Sequence, residues 1–198
     1  MTPNADYGRV MAFAYADPPY LGSCALYRHN HPDGRCWDEI ESWCRLLDEL
    51  HTYYDGWALS CAVSNLRAIF PMCPPKARIM AWCRPQPPGR LNIFPTPSWE
   101  PVIVVVGRKT RSKGANRVVD HLVLQPDVGF LSPWDQPGNK PPGFCKWVFR
   151  AMGAKPGDKF TDLFPGSGAV QRAWDSYAAQ PELAFDAMSP NGSSGGLS

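Results

Sequence analysis

Val10-Met11-Ala12-Phe13-Ala14-Tyr15-Ala16-Asp17-Pro18-Pro19-Tyr20 is the stretch whose reading decides the fold. An apolar run without polar alternation reads as a strand buried on both faces, the kind that builds the parallel sheet of an α/β domain. Asp17 and the two prolines stop it, because proline donates nothing to a ladder and fixes its own φ. Beyond this loop, the spacing of Trp37, Ile40, Trp43, Cys44, Leu47 and Leu50 predicts a helix over 36–54. Residues 56–63 read as the next strand. A short helix over 66–70 follows, capped by Ser64 or Asn65 and limited by Pro71.

Farther along, 77–83 and 101–106 read as strands, with an irregular proline-rich segment over 85–101 between them. Residues 108–143 form a long polar connection with a short strand at 118–124. A helix over 144–152 has Gly153 as its stop signal. A strand over 160–164 enters Pro165-Gly166-Ser167-Gly168, and a helix over 169–177 leaves it. The Gly/Ser-rich tail over 191–198 is expected to be flexible. Strands alternating with helices predict one α/β domain with a mainly parallel sheet. Ligands of such sheets bind at the carboxyl ends of strands, where both the Asp17 loop and the glycine loop fall.

With 198 residues and 44% hydrophobic content the chain is able to bury a core, while 22 prolines shorten its helices. No apolar run reaches the roughly 20 residues of a membrane helix. The first six residues lack the basic start and apolar stretch of a secretory signal. Seven cysteines, an odd count without a CxxC pair, argue against a disulfide framework or a zinc site and for reduced thiols in a cytoplasm. His29 and His31 between Cys24 and Cys36 match no zinc spacing and read as loop residues.

Charge is unevenly spread. Residues 1–75 carry five basic and nine acidic residues, whereas 76–117 carry nine basic residues and one acid, Glu100. A segment this basic suits a phosphate-facing surface; a solvated basic face is the alternative. Its densest part is Arg108, Lys109, Arg111, Lys113 and Arg117.

The Asp17-Pro18-Pro19-Tyr20 loop has the chemistry for an exocyclic amine. Such an amine is a poor nucleophile, because its lone pair is delocalised into the ring. A carboxylate and a backbone carbonyl, here Asp17 and Pro18, accept its two hydrogens and strengthen as positive charge develops. The prolines stiffen the loop beforehand, and Tyr20 offers a π-face to a base taken out of its helix. A plain strand followed by a proline turn is the competing reading of the loop alone. The second motif, Asp162-Leu163-Phe164-Pro165-Gly166-Ser167-Gly168, lets backbone approach a ligand at a helix start. It is neither a dinucleotide GxGxxG nor a P-loop.

Together the two motifs resemble those of the β-type, circularly permuted DNA amino-methyltransferases with a DPPY catalytic loop, adenine-N6 type. The likeness spans roughly residues 8–177, with Asn139-Lys140-Pro141-Pro142 resembling the family's KP segment and Trp99-Glu100-Pro101 its late strand. It implies a Rossmann-like S-adenosylmethionine-dependent methyltransferase fold whose mainly parallel sheet contains an antiparallel strand. It implies S-adenosyl-L-methionine as cofactor, no metal, and DNA as partner. The catalytic residues would be Asp17, Pro18, Pro19 and Tyr20. The cofactor residues would be Asp162, Phe164, Pro165, Gly166, Ser167 and Gly168, with Lys140, Pro141 and the ribose acid Asp186. The single domain would cover 1–190: a catalytic half over about 8–107, a basic connection over about 108–139 and a cofactor half over about 140–190.

Two departures qualify the match. The strand expected to carry the ribose acid is weakly marked, with 183–185 before Asp186 its one candidate. The connection is also too short for an ordinary target-recognition domain. We therefore expect Arg108, Lys109, Arg111, Lys113 and Arg117 to contact phosphates, with low or short sequence specificity. A cytosine-N4 enzyme, an RNA-base enzyme and a non-catalytic cofactor- or nucleic-acid-binding subunit are the alternatives, and a dimer or a partner subunit is the protein partner considered. Small size suits a phage or mobile-element enzyme in a bacterial cytoplasm.

Overall fold

The computed structural model describes residues 9–24, 37–85, 94–109, 117–125 and 140–179. Its strands are β1 (Ala12–Ala16), β2 (Gly56–Ser60), β3 (Arg78–Cys83), β4 (Trp99–Val105), β5 (His121–Val123) and β6 (Lys159–Asp162). Its helices are α1 (Ile40–Tyr53), α2 (Leu66–Ile69), α3 (Pro142–Met152) and α4 (Ala169–Ala178). Among the described residues the strands form one sheet in the order β5-β3-β4-β2-β1-β6. β1 is parallel to β2 and β6, and β3 is parallel to β5. β4 is antiparallel to both of its neighbours, so it alone runs against the rest.

Strand β1 lies between β2 and β6, and its residues from Phe13 to Ala16 are all buried. Phe13 and Tyr15 point into a core with Phe144, Phe149, Val170 and Trp174 of α3 and α4. Ala14 and Ala16 point the other way, into a core with Trp43, Leu46, Leu47 and Leu50 of α1. The period-2 alternation of a strand thus feeds two cores at once. Among the described residues no helix is long and apolar enough to cross a membrane.

Three local expectations change. Strand β4 begins at Trp99 and runs through Pro101, which the sequence marks as a strand start. The carbonyl of Pro101 accepts the Cys61 N–H, just past the end of β2. Its missing donor therefore falls where the ladder has ended, which is how a proline fits an inner strand. Neither Ser64 nor Asn65 caps α2 through its side chain. A 3-10 turn over Val63–Asn65 leads directly into that helix. Asn65 instead donates its amide to the carbonyl of Leu21, 3.2 Å away.

The third change concerns Arg108, which is not a phosphate contact. Its side chain is 1% exposed and closes the end of the sheet opposite the Asp17 loop. Its Nη1 donates to Asp158 Oδ2 at 2.6 Å and to the Gly153 carbonyl at 2.9 Å. Its Nη2 donates to Asp158 Oδ1 at 2.9 Å and to the Arg9 carbonyl at 3.0 Å. A planar fork meeting a carboxylate in two places is the geometry that favours arginine over lysine at a buried pair. Asp158 also accepts the backbone N–H groups of Met11 and Lys155.

Gly153 ends α3 as expected, at φ 81°, with its N–H on the Arg150 carbonyl. A Cβ there would collide with the backbone carbonyl of Arg108. Gly153→Ala is expected to lower unfolding stability by about 1–3 kcal/mol in urea titration, from the left-handed backbone and the collision together.

Candidate active site

The helix after β1 covers one face of the sheet and the helix after β6 covers the other. Neighbouring parallel strands whose helices leave to opposite faces open a crevice at their carboxyl ends. Tyr15 is in register with Asp162, and the Leu163 N–H donates to the Tyr15 carbonyl at 3.0 Å. The two loops singled out in the sequence therefore start side by side, although their motifs lie at opposite ends of the chain.

On the β1 side, Pro18 and Pro19 are buried, and backbone contacts fix the loop that follows. The Ser23 N–H donates to the Tyr20 carbonyl at 2.8 Å, and the Gly22 N–H to Asp38 Oδ1 at 2.7 Å. The Asp17 side chain is 22% exposed and meets Lys140 Nζ at 3.2 Å through Oδ2. Its Oδ1 accepts the Tyr20 hydroxyl at 3.2 Å. Lys140 Nζ also donates to Glu100 Oε1 at 2.5 Å and to the Tyr20 hydroxyl at 3.5 Å. The rings of Trp82 and Phe144 lie 5.5 and 5.6 Å from the same ammonium, within cation–π reach.

Burial raises the Asp17 pKa to about 6; Glu100 adds to the rise, while Lys140 and the Tyr20 hydroxyl oppose it. For Lys140, burial acts to lower the pKa, but the carboxylates of Asp17 and Glu100 prevail and raise it. Burial first, and the two carboxylates after it, push the Tyr20 hydroxyl well above the usual tyrosine range. It therefore stays a neutral donor. Tyr15, also raised by burial, shares a 2.8 Å hydrogen bond with Ser60.

On the β6 side, Asp162 Oδ1 accepts the Phe164 N–H at 3.3 Å. Its Oδ2 is buried and has no hydrogen-bond partner among the described residues. Burial raises the pKa of this carboxyl against that one hydrogen bond. The Phe164 ring stands edge-on to Trp37 with centroids 5.0 Å apart, which anchors the loop to the α1 side. Gly166 and Gly168 have φ of 46° and 75°, and the Gly168 N–H closes the turn on the Pro165 carbonyl at 2.5 Å. Side chains other than hydrogen are disfavoured at both positions. Arg172 Nη1 holds the Ser167 carbonyl at 2.8 Å.

Asp17, Tyr20 and Lys140 are thus brought together, with the run from Asp162 to Gly168 on the adjacent loop. Pro141 caps the start of α3. Lys140, expected on the cofactor side, has its ammonium on Asp17 and Glu100. Lys109 and Arg117 are exposed. Arg111, Lys113, Asp186 and the Gly/Ser tail lie outside the described residues. Sequence reasoning missed Glu100 and Trp82 as site residues, and Glu100 carried a signal. It is the lone acid of a basic segment and abuts an apolar strand, where a buried carboxylate needs a counter-charge.

No protein-family profile matches the chain, and no curated protein sequence matches it significantly. Among solved structures it is similar to the crystal structure of the M1.HpyAVI–SAM complex, with a TM-score of 0.53 and 15% identity over 85% of this chain and 79% of that one. The crystal structure of M1.HpyAVI alone gives a TM-score of 0.49 and 15% identity over 85% and 77%. The likeness to the complex establishes the fold: that of the S-adenosylmethionine-dependent methyltransferases, with one antiparallel strand in a mainly parallel sheet.

Proposed function

We propose that this protein transfers a methyl group from S-adenosyl-L-methionine to the exocyclic amine of a flipped DNA base, N6 of adenine. One observation carries the reading: a carboxylate, Asp17, held by Lys140 on the loop that leaves β1, stands beside the glycine loop that leaves its parallel neighbour β6. M1.HpyAVI, which shares the fold, was crystallised with SAM. The order of the loops, catalytic first and glycine-rich last, agrees with the permuted arrangement.

The residues present fit the cofactor. Asp162 Oδ2 is a buried acceptor without a partner among the described residues, suited to an ammonium group. Among the described residues only the carbonyl of Phe164 comes within 4 Å of where a Gly166 Cβ would sit, at 3.8 Å, which leaves room for a ligand beside the loop. Asp162, Phe164, Pro165, Gly166, Ser167 and Gly168 would hold the cofactor, with Pro141 at the start of α3; Asp186, outside the described residues, is proposed from the resemblance alone as the ribose acid. When bound, S-adenosylmethionine supplies an electrophilic methyl on a sulfonium.

The chain's own residues orient the other reactant. Asp17 accepts one amine hydrogen and the Pro18 carbonyl the other, which draws the nitrogen lone pair out of conjugation and toward the methyl. Tyr20 holds Asp17 through its hydroxyl and offers a ring face to the base. With a pKa of about 6, Asp17 is ionised at neutral pH and is able to take the proton that the methylated amine releases.

Lys109 and Arg117 belong to a connection too short to read many bases, and with Arg111 and Lys113 they would contact phosphates. Lys109→Gln with Arg117→Gln is expected to weaken binding to all DNA sequences about equally and to reduce the log–log salt slope by roughly 1–2. Equilibrium titration at several salt concentrations reads both effects. Nucleoside mass spectrometry of unmethylated DNA incubated with protein and cofactor tests the reaction itself. N6-methyladenine in many sequence contexts is expected. N4-methylcytosine would reassign the target base, a strict site of six base pairs would overturn the low selectivity, and cofactor binding without transfer to DNA or RNA would overturn catalysis.

A further inference from the structure

We infer that Glu100 and Lys140 form a positioning pair for Asp17, in which Lys140, itself held by Glu100, orients the Asp17 carboxylate and the two charges act on it in opposite senses; the inference rests on the proposed amine-methylation reading of that site. A lysine ammonium has three hydrogens, and here it has three oxygen partners: Glu100 Oε1 at 2.5 Å, Asp17 Oδ2 at 3.2 Å and the Tyr20 hydroxyl at 3.5 Å. Trp82 and Phe144 flank it with their rings. The ammonium has no slack, so the oxygen it holds has none either.

The charge count shows that this is more than a buried salt bridge. Lys140 and Glu100 are 5% and 8% exposed and neutralise one another. A fold that needed one ion pair would stop there, since each added buried charge costs desolvation. Asp17 is the surplus anion, and at 22% it is the most exposed of the three. The pair is a neutral platform, and the surplus charge sits on the oxygen atoms at the crevice.

Among the described residues, the tyrosines and thiols around Asp17 carry no charge near neutrality. Burial raises Tyr15 on β1 and Tyr20 on the loop well above the ordinary tyrosine value. It pushes Cys61 after β2 and Cys145 on α3 up to about 12. Asp162 on β6 is the remaining acid near this end of the sheet. Beyond burial, which raises the Asp17 pKa most, Lys140 and Glu100 act on it with opposite signs: the ammonium favours its ionised form and the carboxylate disfavours it. An ionised Asp17 accepts from the amine at either oxygen. A protonated one has turned one oxygen into a donor facing an amine hydrogen.

The test follows the Asp17 carboxylate by 13C NMR in aspartate-labelled protein, with the pH profile of methyl transfer beside it. K140M is expected to raise the Asp17 midpoint by about one pH unit or more. Its activity should shift to higher pH in step. E100Q is expected to lower the midpoint and extend activity to more acidic pH. A role in folding alone predicts no such opposed pair of shifts. Midpoints that stay put in both folded variants, or move in the same direction, overturn the inference. If circular dichroism shows K140M unfolded, E100Q decides alone: a fall supports the pair, and no change or a rise overturns it. The NMR titration needs no turnover, so a wild-type protein without methyl transfer would sink the proposed function and leave this measurement readable.

Discussion

In an Asp17→Ala variant, kcat for methyl transfer is expected to fall about a hundred- to a thousandfold, the usual loss when one preorganised electrostatic partner of a developing charge is removed. Cofactor affinity, read by calorimetry, should change little, because the change is made on the β1 loop and the glycine loop belongs to β6. Stability gives a second check, with the opposite sign. The folded-state pKa of Asp17, about 6, lies above its ordinary value of 3.8. A carboxyl raised on folding favours the folded state while it is protonated, and that advantage is lost as pH rises from the unfolded value through the folded one. At pH 7 the ionised side chain is therefore a burden on the fold. Its removal leaves Lys140 and Glu100 as a neutral pair. The variant should be at least as stable as wild type at pH 7 and lose that edge below pH 4. An unchanged kcat would refute the assignment of Asp17. A large stability loss at pH 7 would refute the account of its environment.

Arg108→Met has the opposite profile, with a large loss of stability from a residue far from the chemistry. Breaking a buried ion pair from one side leaves an uncompensated charge and costs about 3–5 kcal/mol. Here the orphan would be Asp158, 1% exposed and left with the N–H groups of Met11 and Lys155. In the intact protein burial acts to raise the Asp158 pKa, but the Arg108 hydrogen bonds and those two N–H groups prevail and lower it. Its share of stability is thus present above the ordinary carboxylate value and lost as pH falls through the depressed one. In Arg108→Met the lowering partner is gone. The gap between variant and wild type should narrow as acid protonates Asp158. Urea titrations at pH 7 and pH 4 measure both values; a gap that is small at pH 7 or constant with pH overturns the prediction.

Arg108 also shows where reading the sequence stops. Its neighbour Lys109 is exposed, and both belong to the same run of basic residues. Composition treats the two alike. What separates them is a tertiary partner, Asp158, 50 positions away in the chain. The Glu100–Lys140 pair escaped for the same reason, since its members stand 40 positions apart. Features whose cause is local were legible. β1 announced its two-sided burial because its residues are all apolar, although the apolar run overreached at Val10, which lies outside the strand and is exposed; Gly153 announced the end of α3 because a left-handed cap needs glycine. Pro101 misled because a proline is judged by its missing N–H, and only the register of β2 against β4 shows that no ladder position needed one. The two site loops were each readable from their own residues. Their side-by-side placement came from sheet order.

That placement has a kinetic side. The Met11 N–H reaches Asp158 across 147 positions of chain, and β1 then zips against β6. Contacts this distant in sequence carry a high loop-closure cost and slow the folding of chains that depend on them. The strands that bring the two loops together come from opposite ends of the described fold, so a ribosome-bound chain shorter than β6 would have half a crevice and no place for the reaction. Completion of the sheet and onset of activity should then be one event, seen as a single rate when refolding is followed by tryptophan fluorescence and by recovered turnover.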